Sequence, residues 1–491
     1  MQATPASSLF RQGSSFAFTL SKESQGDEKI VEVTFEENDR RNPINFPRSR
    51  KWAITIMGCM YTFLSAASAT AYTMGFPTMI AELNCTQFQA TLGLSVFALG
   101  FGVIPLVTSA FSEEFGRQPL YIISTIGFAL THLMLALAPN IQIVIVARFL
   151  QGAFGSTGAT LVAGTVTDVW DIHERGLPMS IFSAVTFIGN GLAASAGGWI
   201  AMNEHLRWRW IHWIQFIIVG TYCILVPIVL RETRSAIVLL GIAQKLSHQN
   251  PGIKYRVRAY EERASLKTLI WTSCTRPIHL LCTEPIVISQ SLWIGFAWGV
   301  LYCMFRSIPG IFKNLYGFNT GAEGNVFITM VIGSVLGFFT NFYQEKLYRR
   351  NLSKRWVEGR LYLALVAALF FPIGMYIYAL TSISNIHWIV PIVGITIYMW
   401  ATFTIYQAVF TYLADCYGPY ASSALAGQNL IRYLMGAIFP LFTQAMFRTL
   451  TYKWGNTLFA SIAVLMIPIP YVMFFYGPVI RRWSRFSQKV Y

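Results

Sequence analysis

The chain has 491 residues, 54% of them hydrophobic and 12% charged, with a net charge of +15 and a mean hydropathy of +0.48. A water-soluble surface needs roughly 25% charged residues, so most of this one faces lipid. The positive charge is gathered in a few loops and tails, with no basic helix or zinc spacing beside it, which excludes a nucleic-acid binder.

In chain order, residues 1–51 form a Ser-rich, charged stretch without the apolar run of a signal peptide. It reads as a disordered tail, and the first span must serve as the insertion signal. A bilayer core of about 30 Å needs about 20 apolar residues per helix. Such runs occupy 52–74, 88–111, 119–138, 141–167, 176–202 and 210–230. A polar segment covers 231–281, and further runs follow at 285–305, 325–344, 361–381, 387–412, 421–447 and 455–476. The pattern predicts an all-α membrane protein of 12 helices in two six-helix bundles, 52–230 and 282–480. A basic central loop joins them, and 481–491 is a short tail.

Lys and Arg set the orientation. The two tails, the central segment and the loops on their side hold 29 of the 37, the opposite side holds six, and Arg148 and Arg432 fall at membrane depth. That asymmetry predicts both termini in the cytoplasm. The seven cysteines are scattered singly, as small apolar side chains would be. The sequon Asn84-Cys85-Thr86 lies in the first external loop, whereas Asn351-Leu352-Ser353 falls on the cytoplasmic side, so Asn84 is the candidate glycosylation site.

The halves echo each other. Glu113 and Arg117 stand four apart after the second run, and Glu345 and Arg349 after the eighth; Asp168 closes the fourth run as Asp415 closes the tenth. Parallel repeats of this kind place a site between the halves. In the segment 109–119, Glu113 can pair with Arg117 while Gly116 allows a tight turn. With Asp168 and Arg175 these residues can latch the bundles in one state and release them in another.

The segment 109–119 resembles the loop 2–3 signature of the major facilitator superfamily, in the form common among fungal drug:proton antiporters. Arg148-Phe-Leu-Gln151-Gly152 resembles that family's RxxQG motif, which implies a role for Arg148 in proton handling. The run Gly189–Gly198 resembles the antiporter motif but departs from it. Asn190 and Ala194 stand where prolines are usual, and Ala193 where glycine is, which keeps close helix packing and weakens the case for antiport. Segments 42–47, 208–213 and 417–423, with Arg432 and Phe439-Pro440, spread the resemblance over nearly the whole chain.

The resemblance implies a cavity lined by spans 1, 4, 7 and 10. Polar or aromatic residues there, Gln151, Gln290, Trp293, Trp400 and Gln407, are candidate contacts for cargo or protons. Arg148, and Asn190, Asn429 and Arg432 on neighbouring spans, join them. An always-charged Arg148 is not itself a proton carrier, so Asp168, Glu113 and Glu284 are the titratable candidates. No phosphate-binding GxxxxGK[ST], HExxH or GxSxG occurs, so neither ATP-driven transport nor an enzyme is expected, and no cofactor or metal. The expected activity is export of drugs, secondary metabolites or organic acids by a monomer exchanging cargo for protons. The plasma membrane is the expected location, with the vacuolar membrane as the alternative. A facilitator or proton-coupled importer of a small nutrient is the other reading of the same fold.

Overall fold

A backbone in lipid finds no water for its N–H and C=O groups, so apolar runs close their hydrogen bonds within helices. The computed structural model describes residues 22–25, 28–36, 38–171, 174–251, 253–261, 265–484 and 486–487. Its first half contains Arg48–Met74 (span 1), Gln87–Phe115 (span 2), Gln118–Ala136 (span 3), Ile141–Val169 (span 4), Gly176–Met202 (span 5) and Arg207–Val229 (span 6). The second contains Pro285–Tyr316 (span 7), Ile328–Arg355 (span 8), Tyr362–Thr381 (span 9) and Ile389–Tyr417 (span 10). Helix Ala421–Met466 breaks at Thr451 (φ 63°, ψ 166°), which divides span 11 from span 12; span 12 continues through Pro468–Trp483.

Among the described residues eight stretches are long and apolar enough to cross a membrane, and two of them, Thr320–Thr381 and Ile389–Trp483, hold several spans each. Ile141–Val169 is not among them, because it carries Arg148, Gln142, Gln151 and several glycines. Span 7 outruns the apolar run that predicts it. Arg306 and Lys313, read as loop residues, lie on its last turns beside fully buried Ile308, Ile311 and Phe312.

Packing repeats between the halves. Span 1 packs on span 5, span 2 on span 4 and span 3 on span 4; likewise span 7 packs on span 11, span 8 on span 10 and span 9 on span 10. The sequence echo therefore marks a structural repeat.

The region read as a disordered tail is ordered from Lys22 among the described residues. Strands Lys22–Gln25 (β1) and Glu28–Glu32 (β2) pair antiparallel, and β2 pairs parallel with Ile253–Arg256 (β3) of the central segment, Lys29 facing Ile253 and Glu32 facing Arg256. Val33 buries against Leu239, Leu246 and Val257, the first two on helix Ser235–Gln249. A second helix of that segment, Leu266–Thr283, packs on spans 2 and 11 and leads into span 7. The segment read as a loop is thus a small folded layer at the end of the molecule where span 1 begins and span 12 ends.

Candidate functional site

Between the bundles lies a cavity of about 1200 Å³. Glu113, Arg175, Arg234, Arg349 and Asp415 ring its mouth, so it opens at the end carrying the termini and the basic central segment. At the opposite end the halves are sealed. Ser195 Oγ and Trp199 Nε1 both donate to Asn325 Oδ1, at 2.6 and 3.1 Å. Along the same seam the glycines of span 5 let backbones touch. A Cβ on Gly191 would lie 2.7 Å from the Phe327 carbonyl oxygen, and one on Gly198 2.6 Å from that of Thr320. Small residues thus do the close packing that their run in the sequence predicts. The Arg306 guanidinium lies 5.4 Å from the Phe76 ring centre across the bundle boundary, which adds to the seal.

Deeper in, polar bridges cross between halves. Ser183 Oγ donates to Gln407 Oε1 at 2.6 Å, and Asn341 Nδ2 donates to Ser180 Oγ at 3.0 Å. Phe101 and Tyr433 meet at 4.7 Å, and Phe187 packs edge-on against Trp298. Phe182, Trp298, Tyr302, Tyr406 and several Ser and Thr hydroxyls stand in the walls around these bridges.

Of the candidate contacts, Asn190, Gln407, Asn429 and Arg432 line the cavity, and Arg148, Gln151, Gln290, Trp293 and Trp400 do not. Gln290 and Trp293 are buried inside the second bundle. Trp400 turns away to donate to Thr340 Oγ1 at 3.1 Å. Spans 7 and 10 present a different face: Trp298 and Tyr302 on span 7 and Tyr406 on span 10 reach the cavity. The spacing of 298, 302 and 305 on one helical stripe is the signal that would have found them.

Arg148 is fully buried inside the first bundle, above the cavity floor. Nη1 donates to the Ser68 carbonyl at 2.9 Å and to Gln151 Oε1 at 2.5 Å, and Nε to the Gly93 carbonyl at 3.4 Å. Its guanidinium sits 4.1 Å from the Tyr72 ring centre and 4.3 Å from that of Phe97. Gln151 Nε2 in turn lies 3.1 Å from His132 Nδ1, and His132 Nε2 is 3.3 Å from Ser68 Oγ. His212 stacks nearby, its ring centre 6.0 Å from that of His132. These histidines form with Arg148 one buried polar cluster.

At the mouth, the pairing differs from that expected. Arg117 Nε donates to Asp168 Oδ2 at 2.5 Å, while Glu113 approaches Arg234 at 4.0 Å. Burial favours losing the Arg117 proton, but the Asp168 partner outweighs it and holds the pKa above its usual value. Glu232, absent from the sequence reading, accepts from the backbone N–H groups of Arg117 and Gln118 at 3.0 and 3.2 Å, capping span 3. Gly116 adopts φ +89°, and a Cβ there would run into the Glu232 carboxylate. Arg175 lines the mouth. In the second half the equivalent of Arg117 is Arg360, which donates to Asp415 and Glu345, each at 2.7 Å, whereas Arg349 is an exposed i,i+4 neighbour of Glu345. Glu284 is buried at the start of span 7 and accepts from the Tyr417 hydroxyl at 3.1 Å.

Two repeated six-helix bundles around a cavity closed at one end define a membrane transporter. The chain belongs to the Major Facilitator Superfamily, whose sequence profile matches residues 58–440. It is 32% identical to the "Major facilitator superfamily multidrug transporter mdrA" of Aspergillus fumigatus, over 95% of this chain and 78% of that one. It is 31% identical to "Efflux pump FUBT" of Fusarium oxysporum (91% of this chain, 76% of that one) and 31% identical to "Efflux pump radE" of Floropilus chiversii (96% and 88%). Among solved structures it is similar to a partially occluded inward-open xylose transporter of E. coli, with a TM-score of 0.60 at 16% identity over 87% of this chain and 99% of that one. That last likeness shows the fold.

Proposed function

We propose that this chain is a secondary active exporter of small amphipathic molecules that exchanges cargo for protons by alternating access. It acts as a monomer, with both termini and the central segment in the cytoplasm of the plasma membrane, and is not an enzyme. The observation that carries this reading is the aromatic-walled cavity, open at the basic end and sealed at the other. The efflux pumps among its relatives support the direction.

Two features support a proton partner. No Asp or Glu falls within the apolar runs that mark the spans. The carboxylates nearest the path, Glu113, Asp168 and Glu284, stand instead at the mouth end and are the candidate proton carriers. Gln151 ties the Arg148 guanidinium to His132 through two hydrogen bonds, so the motif that the sequence singles out is held as one unit.

The test is cargo uptake into inside-out vesicles with an acidic lumen. Wild type should accumulate cargo and lose it on adding an uncoupler. Uptake indifferent to the uncoupler would instead favour the facilitator.

The orientation has its own check. Asn84 is exposed, in a left-handed conformation (φ 47°) at the sealed end, whereas Asn351 lies in span 8 at the mouth end and donates to the Leu347 carbonyl. A glycosidase-sensitive mass shift should vanish with Asn84→Gln and persist with Asn351→Gln. A glycan on Asn351 would overturn the orientation.

A further inference from the structure

The cavity's fixed charges are lopsided. Its wall carries Arg432 deep inside, on span 11, and no carboxylate at that depth. Acidic wall residues sit at the mouth, where Glu113, Glu345 and Asp415 already have arginine neighbours.

Arg432 is only 6% exposed. Its guanidinium carbon lies 4.6 Å from the Trp298 ring centre, 4.9 Å from that of Tyr406 and 4.7 Å from that of Tyr433. Three ring faces hold the cation in place and compensate part of its lost hydration. They do not satisfy its donors, since Nε and Nη1 have no hydrogen-bond partner among the described residues. A buried donor left empty is costly, more so on a charged group. Arg148 solves that problem inside its bundle with carbonyls and an amide; Arg432 faces the cavity with donors to spare.

Arginine donors in a fixed planar fork match a carboxylate, which accepts two parallel hydrogen bonds. The adjoining aromatic faces of Phe101 and Tyr302, both on the cavity wall, suit a flat apolar body attached to that carboxylate. A cationic cargo would meet no counter-charge at this depth and a like charge instead. We infer that the cavity is built for aromatic or amphipathic organic acids, bound as anions with the carboxylate on the Arg432 guanidinium. This narrows the cargo class and rests on the export reading above.

The experiment measures calorimetric binding to the purified full chain of two probes of like shape, 1-naphthoate and its neutral amide, 1-naphthamide. A bidentate charge-assisted contact should favour the acid by about tenfold or more. Arg432→Met and Arg432→Gln should erase that preference by weakening naphthoate alone, with naphthamide binding unchanged. Arg349→Gln at the mouth should leave the preference in place. If the methionine and glutamine variants do not fold, Arg432→Lys keeps a cation between the rings and should narrow the preference, because it lacks the planar fork. Equal binding of the two probes to wild type overturns the inference, as does a preference that survives at full size in the Arg432 variants. Gradient-driven pumping of a neutral lipophilic dye separates the two readings. A pumped dye with no acid preference leaves export standing and removes this inference; an acid preference without pumping does the reverse.

Discussion

Arg148→Ala should abolish transport, and Arg148→Lys should lower it by roughly tenfold to a hundredfold while the protein still reaches the membrane. The guanidinium holds the Ser68 and Gly93 carbonyls and Gln151 together while filling the gap between Tyr72 and Phe97. Alanine leaves a void and orphans the Gln151 carbonyl oxygen, which then no longer orients the amide toward His132. Lysine keeps the charge but places it at a point, so it cannot span Ser68, Gly93 and Gln151 at once. Losing one charge-assisted hydrogen bond costs about 1.5–3 kcal/mol, the energy behind the stated range if it is felt in the rate-limiting step. The measurement is uptake normalised to protein in the membrane. Wild-type rates in Arg148→Ala would reduce the cluster to packing.

Gly152→Ala, in the same motif, should act on folding instead. A Cβ at Gly152 would run into the carbonyl oxygen of Phe97 on span 2, and backbone cannot swing aside as a side chain can. Forcing spans 2 and 4 apart there costs about 1–3 kcal/mol, and Gly152→Val more. Its neighbours make this worse, because Gly100 meets the Phe149 carbonyl at the same crossing, 2.7 Å from an ideal Cβ. Thermal unfolding followed by size-exclusion should show a lower midpoint for Gly152→Ala and little folded Gly152→Val. Gly220 has open space where its Cβ would be, so Gly220→Ala is the control and should unfold as wild type does. Equal midpoints for the two alanine variants would remove the crossing argument.

The spans and the division into bundles were legible because a hydrocarbon interior enforces long apolar runs whatever their detailed packing. Depth was legible too: Arg148 and Arg432 stand out as basic residues in such runs, and both lie buried where the structure places them. Helix rotation was not. Gln290 and Trp293 share span 7 with Trp298 and Tyr302, but lipid, protein and cavity all accept apolar or aromatic groups, so composition cannot tell which stripe faces the cavity. The mouth shows a related limit. Spacing suggested Glu113 with Arg117 and Glu345 with Arg349, since neighbours on one helix are what sequence makes visible. Arg117 instead reaches Asp168, and Arg360 reaches Asp415, across turns that depend on the tertiary fold. The end of β2 and the residues after it had a local signature, with Val31, Val33 and Phe35 alternating, yet its partner β3 lies more than two hundred residues on. A strand with no visible partner reads as a tail.

The uncompensated arginines also make this carrier answerable to voltage. A unit charge crossing the full field of a 100 mV membrane exchanges about 2.3 kcal/mol with it, and a charge carried part of the way exchanges a fraction of that. In the alternating-access cycle proposed above, Arg148 and Arg432 travel with their bundles. The potential thereby exerts a pull on the equilibrium between the two forms of that cycle, with a strength set by how far each charge travels. An anion on Arg432 cancels one of those charges and removes its share of the pull. Loading and reorientation are thereby linked electrically, so the current carried by empty and loaded forms should differ in its dependence on potential.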